Sequence, residues 1–430
     1  MTQSRCPAMK KSRFSVSAAL VLTLSLVFLQ EGFTYYVSFQ ILALVTIAIL
    51  IFLTTYAIKD EKHFFVAFLV FLLSVATTGV VSPNIIDRNS SNISLTVIGI
   101  LAYAVMIGCM PNLKIKRVGL ILYVLKYASS ATVFVLAGLI ALCEFELVPL
   151  LTRESMLQQN VRLIDNFTSA EALSADVEFR SLTLEPPKID LFYGEPSFLA
   201  IVLFTCLGCY MLTSKLVAAI RNGSKYTYLK ASFKSYIILV FGIMSLLYIQ
   251  SLSSIIFALI VIYFVLLKGR ITWAKLWTSI SYLIIFAIAF LVFSYEYFLY
   301  RITQADSLSF YHRFGFLLDI GIADLLLGIK DASMLPDVGI HNGLFYIIAI
   351  SGFGGVLYII SLLYSVYTLS APIKSSMFSV LLVLAIMMQN GGVFSPNKVV
   401  LFSFILLPLA CARSIYSGQR TASINSRHYE

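Results

Sequence analysis

Charge is what this chain has least of. Of its 430 residues only 12% are Asp, Glu, Lys or Arg, about half the share in a soluble globular protein. A surface so poor in charge is not one that water stabilises, so lipid is the expected solvent for most of the chain. Cysteine is scarce as well, at six, which excludes a secreted disulfide scaffold. Cys109, Cys143, Cys206, Cys209 and Cys411 fall in or at the ends of apolar runs, and Cys6 lies near the N-terminus. Cys206 and Cys209 make a C-x-x-C pair inside an apolar stretch with no ligand-type residue nearby, too little to assign a metal or redox role. The sequence has no G-x-x-x-x-G-K phosphate loop and no dinucleotide-binding fingerprint after a strand, which argues against a nucleotide-driven pump. It also has no repeat of 20–50 residues and no low-complexity tract, so a solenoid and a fibre are excluded too.

What the chain has is apolar length. Hydrophobic residues make up 59% of it and the mean hydropathy is +0.91. Crossing a hydrocarbon core takes about 17–25 residues of helix. Twelve runs approach that length: 15–31, 36–57, 63–82, 93–110, 119–146, 195–214, 235–250, 252–268, 278–296, 343–368, 373–391 and 396–413. In lipid they must be helices, because no water is present to satisfy an open backbone. Gln250 and Ser251 alone separate the seventh and eighth, which predicts a tight helical hairpin. Within the fifth, the stretch Val118 to Lys126 either spans or lies in the interface, since lysines bracket it. The first run follows Lys10, Lys11 and Arg13, but no small-residue cleavage site follows Gln30-Glu31. It reads as a retained helix and not as a signal peptide.

The basic residues set the orientation. With twelve spans alternating, 22 of the 31 Lys and Arg fall on one side, and only three of the 21 acidic residues join them there. Positive-inside bias puts that side, and both termini, in the cytoplasm. The net charge of +10 is therefore a topology signal, and no nucleic acid is expected as a partner.

The expected fold is an all-α polytopic membrane protein of about twelve transmembrane helices, both termini cytoplasmic, with two large external loops. The chain divides into helices one to five (1–148), a first large loop (149–194), helices six to nine (195–296), a second large loop (297–342), helices ten to twelve (343–413) and a tail (414–430). Long loops in a compact protein are generally functional, and these two hold most of the external charge, although most of their individual charges read as ordinary solvated ones.

Two stretches stand out. Tyr193-Gly194-Glu195-Pro196-Ser197 closes the first loop. Pro196 suits the first turn of a helix, where its missing N–H costs nothing. Glu195 then lies at a helix N-terminus, where it either complements the helix dipole or does chemistry. His341-Asn342 closes the second loop, with Gly352, Gly354 and Gly355 further on. Histidine alone titrates naturally near neutral pH, though a lone loop histidine is more often structural. The glycines read as close helix packing in lipid. Arg301 and Arg313, in the same loop, are either loop charges or a bidentate grip for a diphosphate.

The layout, the G-E-P-S stretch at 194–197 and the H-N-x9-G-x-x-G pattern from His341 to Gly355 together resemble the O-antigen polymerase and ligase superfamily of bacterial inner-membrane glycosyltransferases. The layout is similar along the whole chain, the specific residues only over about 193–200 and 301–355. The histidine pattern is common to the superfamily, and the G-E-P-S stretch looks more like polysaccharide polymerases. An R-x10-G repeat found in the loops of some polymerases is absent, because Leu191 and Asp324 stand where Arg180 and Arg313 would require glycine.

The resemblance implies a transferase at the periplasmic face that joins repeat units carried on undecaprenyl diphosphate, for O-antigen or a related surface polysaccharide. The donor and acceptor are both such lipid-linked oligosaccharides, and the partners are the bilayer and a chain-length regulator protein. Neither a cofactor nor a metal is implied. His341 or Glu195 is the implied base for the attacking hydroxyl. Arg313, Arg301 and Arg180 are implied to hold the departing diphosphate, with Tyr193 and Asn342 in contact with the glycan. Two rivals stand beside this reading: a ligase delivering finished glycan to lipid A core, and a flippase of lipid-linked glycans. A flippase calls for ionisable residues along its spans, and charges inside the spans are few and lie towards their ends, as Lys126 and Glu144 do in the fifth.

Overall fold

The computed structural model describes residues 13–27, 115–144, 196–222, 233–249, 252–266, 321–327, 342–373, 375–388 and 396–427. Every regular element among the described residues is helical. They are α1 (Arg13–Val27), α2 (Ile115–Glu144), α3 (Pro196–Asn222), α4 (Phe233–Tyr248), α5 (Leu252–Leu266), α6 (Ile322–Leu327), α7 (Gly343–Ser370), a 3₁₀ turn (Ala371–Ile373), α8 (Ser376–Met388) and α9 (Pro396–Arg427). The composition of α5, LSSIIFALIVIYFVL, shows what decides this. Ile, Val and Phe favour strands when they can pair in a sheet, but a helix satisfies the backbone of an apolar segment within the segment itself.

Two segments are long and apolar enough to cross a membrane: Val118–Leu142, of 25 residues, and Ser197–Ala218, of 22. At 1.5 Å per residue both exceed a hydrocarbon core of about 30 Å. Val16–Val27, Tyr236–Tyr248, Ser253–Val265, Ser376–Met388 and Val400–Tyr416 are apolar but shorter. Eight of the predicted runs coincide with described helices. The runs at 36–57, 63–82, 93–110 and 278–296 lie outside the described residues. Two features were not expected. α9 continues to Arg427, so the predicted tail opens as helix, and the second large loop contains the six-residue α6.

The chain forms two compact units. The first comprises Met1–Ile49, Tyr123–Ser214 and Lys230–Val261. Its core is aliphatic and aromatic: Leu22, Leu26, Leu125, Leu136, Leu203 and Leu207 are fully buried, and the rings of Phe204 and Phe257 stack 4.6 Å apart at an interplanar angle of 4°. At Gly242 on α4, a Cβ would meet the Leu207 side chain at 2.5 Å, so these helices approach as closely as they do because glycine stands there. Hydroxyl groups are housed without water by donating to the carbonyl one turn back. Thr23 bonds the Ala19 oxygen at 2.8 Å, Ser129 that of Leu125 at 2.7 Å, Thr132 that of Ala128 at 2.8 Å and Thr213 that of Cys209 at 2.7 Å. Lys126 turns its ammonium over the Tyr210 ring, 5.6 Å from the centroid, a cation–π contact that suits a cation beside apolar surface. Where a hairpin is expected between the seventh and eighth runs, the helix breaks: α4 ends at Tyr248, the Ile249 N–H bonds the Ser245 carbonyl at 3.2 Å, and α5 opens at Leu252.

The second unit comprises Leu50–Leu122, Lys215–Leu229 and Ile262–Glu430. Here α7 packs against α6, α8 and α9, and α8 against α9. The Ala371–Ile373 turn joins α7 to α8, with the Ser375 N–H bonding the Ser370 carbonyl at 3.4 Å. Phe264 and Phe378 meet at 4.9 Å between ring centroids. Within α9, Pro408 removes one backbone donor without ending the helix, a pattern tolerated in apolar surroundings.

Candidate functional site

The candidate stretches at 193–195 and 341–342 adjoin two helix starts. α3 opens at Pro196, the residue after Glu195, and α7 opens at Gly343, two after His341. Tyr193, Glu195, Arg180, Arg301, Arg313 and His341 themselves lie outside the described residues. Asn342 lies inside them.

Asn342 caps α7. Its backbone is extended (φ −120°, ψ 108°), and its Oδ1 accepts hydrogen bonds from the N–H groups of Leu344 at 3.1 Å and Phe345 at 3.4 Å. A helix leaves its first N–H groups without partners, and an asparagine at this position satisfies them. The residue is 1% exposed, so the cap is sealed. The amide oxygen is thereby committed to the backbone. That gives Asn342 a structural role at the start of α7.

Gly352 is buried and has a conformational role beside the packing read for it. Its φ of 55° and ψ of −135° break the helical path of α7, a conformation that a Cβ opposes. The first glycine of the H-N-x9-G-x-x-G stretch is therefore a conformational requirement. The helix runs as two segments, one on either side of Gly352.

Two lysines that sequence reading passed over are also buried. Lys215, near the end of α3, is 6% exposed and donates to the Ser375 hydroxyl at 2.6 Å, and Lys398, in the first turn of α9, is 2% exposed. The signal that finds them is position. Each stands within a turn of the end of an apolar run, where a long side chain ordinarily reaches for water, so burial there is the exception. Among the described residues, α3, α7, α8 and α9 carry no carboxylate, and no group of three or more His, Cys, Asp or Glu is placed to hold a metal ion. The thiols of Cys206, Cys209 and Cys411 are free and buried.

Compared with protein-family models, with curated proteins and with solved structures, the chain matches none.

Proposed function

We propose that this chain is a polytopic inner-membrane glycosyltransferase that polymerises oligosaccharide repeat units carried on undecaprenyl diphosphate, acting at the periplasmic face through about twelve transmembrane helices. The observation that carries the reading is Asn342 capping α7 directly after His341, with Gly352 breaking that helix ten residues on. Two positions of one sequence pattern thus have separate conformational roles in a single element.

In the proposed reaction a hydroxyl of the acceptor's non-reducing sugar attacks the anomeric carbon of the donor. The new glycosidic bond forms as the bond to the lipid diphosphate breaks. His341 or Glu195 takes the hydroxyl proton, and Arg313, Arg301 and Arg180 stabilise the diphosphate that leaves with the bonding electrons. The group-transfer potential of the sugar–diphosphate bond that breaks drives the step, so no nucleotide is consumed.

The rival with an observation in its favour is a transporter of lipid-linked glycan. A helix broken at Gly352 and buried lysines at 215 and 398 are features that carriers also use. Gel electrophoresis of surface polysaccharide from a strain lacking the protein separates the readings. Loss of a polymerase leaves core bearing one repeat. Loss of a ligase leaves bare core with lipid-linked polymer accumulating, and an unchanged ladder removes both.

A further inference from the structure

α2 is 30 residues long, about 45 Å of helix, which is more than a hydrocarbon core of about 30 Å can cover. Its outward face marks the part that leaves the core. Val124, Leu125, Ala128 and Ser129 are buried, and the stripe turned away from them is Tyr123, Lys126, Tyr127 and Ser130, at spacings of three and four. Tyr127 is 46% exposed and the other three are half-buried. Further along, the exposed residues of the helix are all apolar: Phe134, Val135, Gly138, Ala141 and Leu142. Lys126 and Glu144, the charged residues that bound this second stretch, stand 18 residues apart, about 27 Å along a helix. In a bilayer that spacing puts Lys126 at a boundary of the core. Long side chains on a helix lean toward its N-terminal end, so the polar tips of Tyr123, Lys126 and Tyr127 are carried toward the head groups. Two contacts hold them: the rings of Tyr123 and Tyr127 lie 4.3 Å apart, and the Lys126 ammonium sits over the buried Tyr210 ring.

We propose that Tyr123, Lys126 and Tyr127 form an outward-facing docking site for the head group of an anionic phospholipid, its phosphate beside the Lys126 ammonium and its acyl chain along Phe134. A lysine ammonium is a point charge suited to phosphate, tyrosine hydroxyls add donors, and tyrosines gather at head-group level. Charge complementarity favours an anionic lipid over a zwitterionic one. Lys114, Lys116 and Arg117 precede the stripe in sequence, and no acidic residue stands between Asp87 and Glu144, a basic run of the kind that attracts anionic lipid. The apolar continuation favours a lipid over a soluble anion: Phe134 meets Phe241 of α4 at 5.7 Å between centroids, and both rings are exposed. The site lies on the side of the helix, so a lipid reaches it from the bilayer without entering the protein. The inference rests on the membrane part of the proposed function and not on glycosyl transfer.

The test uses the purified full-length protein in detergent, given equal amounts of phosphatidylglycerol and phosphatidylcholine and read by native mass spectrometry. Wild type should retain phosphatidylglycerol preferentially. Lys126→Met should weaken that retention roughly tenfold, the scale of one lost hydrogen bond to a charged group. Lys126→Arg should keep most of it, and Tyr127→Phe should lose a smaller part. No preference in wild type, or equal retention by wild type and Lys126→Met, overturns the site. Displacement of the lipid by millimolar inorganic phosphate overturns the lipid as ligand. Should Lys126→Met fail to accumulate, the double variant Tyr123→Phe/Tyr127→Phe decides, since it removes only two hydroxyls: an unchanged preference refutes the proposal. A protein that stays folded and monodisperse without detergent removes the membrane reading and the site with it, whereas one that needs detergent and shows no preference loses the site alone.

Discussion

Gly352 and Asn342 act within one helix, and their physical roles predict different failures. An alanine at Gly352 must either hold a positive φ at a cost on the order of 1–3 kcal/mol or straighten α7 and redirect its first segment. We expect Gly352→Ala to lower the thermal unfolding temperature of the purified protein and to reduce polymer strongly. A variant with wild-type melting and a full-length ladder would show the break to be dispensable. Asn342→Ala removes the cap, worth about 1 kcal/mol, whereas Asn342→Ser restores an acceptor of the right reach. Capping therefore predicts that serine rescues both stability and polymer, and contact with the glycan predicts that it rescues stability alone. At the neighbouring candidate base, His341→Ala should abolish polymer at normal membrane abundance, since loss of a general base costs about 10²–10⁴-fold. Full-length polymer from that strain removes His341 from the site. Much of this was legible in the sequence as pattern: His341, Asn342 and Gly352 stand out by type and spacing. Their division of labour was not, because a positive φ and a committed amide oxygen are properties of the folded backbone. Lys215 and Lys398 were overlooked for a related reason. Sequence gives a lysine's place along a span, but only packing shows which way its side chain turns.

At the scale of elements, apolar run length carried the reading furthest. Helix starts at Pro196, Gly343 and Pro396 fall where proline and the cap residue put them, and the break after Tyr248 falls beside Gln250-Ser251. The ends were less legible. α3 and α9 run past their apolar cores to Asn222 and Arg427, because a helix entering water needs no apolar residues to continue its hydrogen bonds. α6 was missed, since six residues are too few to show a period. The close approach of α3 and α4 yields a prediction of its own. Gly242→Ala places a methyl 2.5 Å from Leu207, a fully buried side chain with little room to retreat. The expected loss is about 1–3 kcal/mol, seen as a lower unfolding temperature that Leu207→Ala partly restores in the double variant. If Gly242→Ala melts like wild type, the two helices are not in tight contact there.

For the whole molecule, the account depends on orientation, which rests on the separation of 22 basic residues from the other nine. Alkaline phosphatase fused near Asp176 or Asp331 should be active, and near Lys225 or Lys275 inactive. Activity at Lys225 would invert the protein and move both candidate loops away from the periplasm. The central claim is chemical, and the most direct measurement is reconstitution. Purified protein in liposomes is given undecaprenyl-diphosphate-linked repeat units alone, and the lipid-linked products are sized on a gel. The account predicts a ladder of longer glycans still attached to undecaprenyl diphosphate, lost with His341→Ala. Single repeats that stay single, or that lengthen equally without the protein, would contradict it.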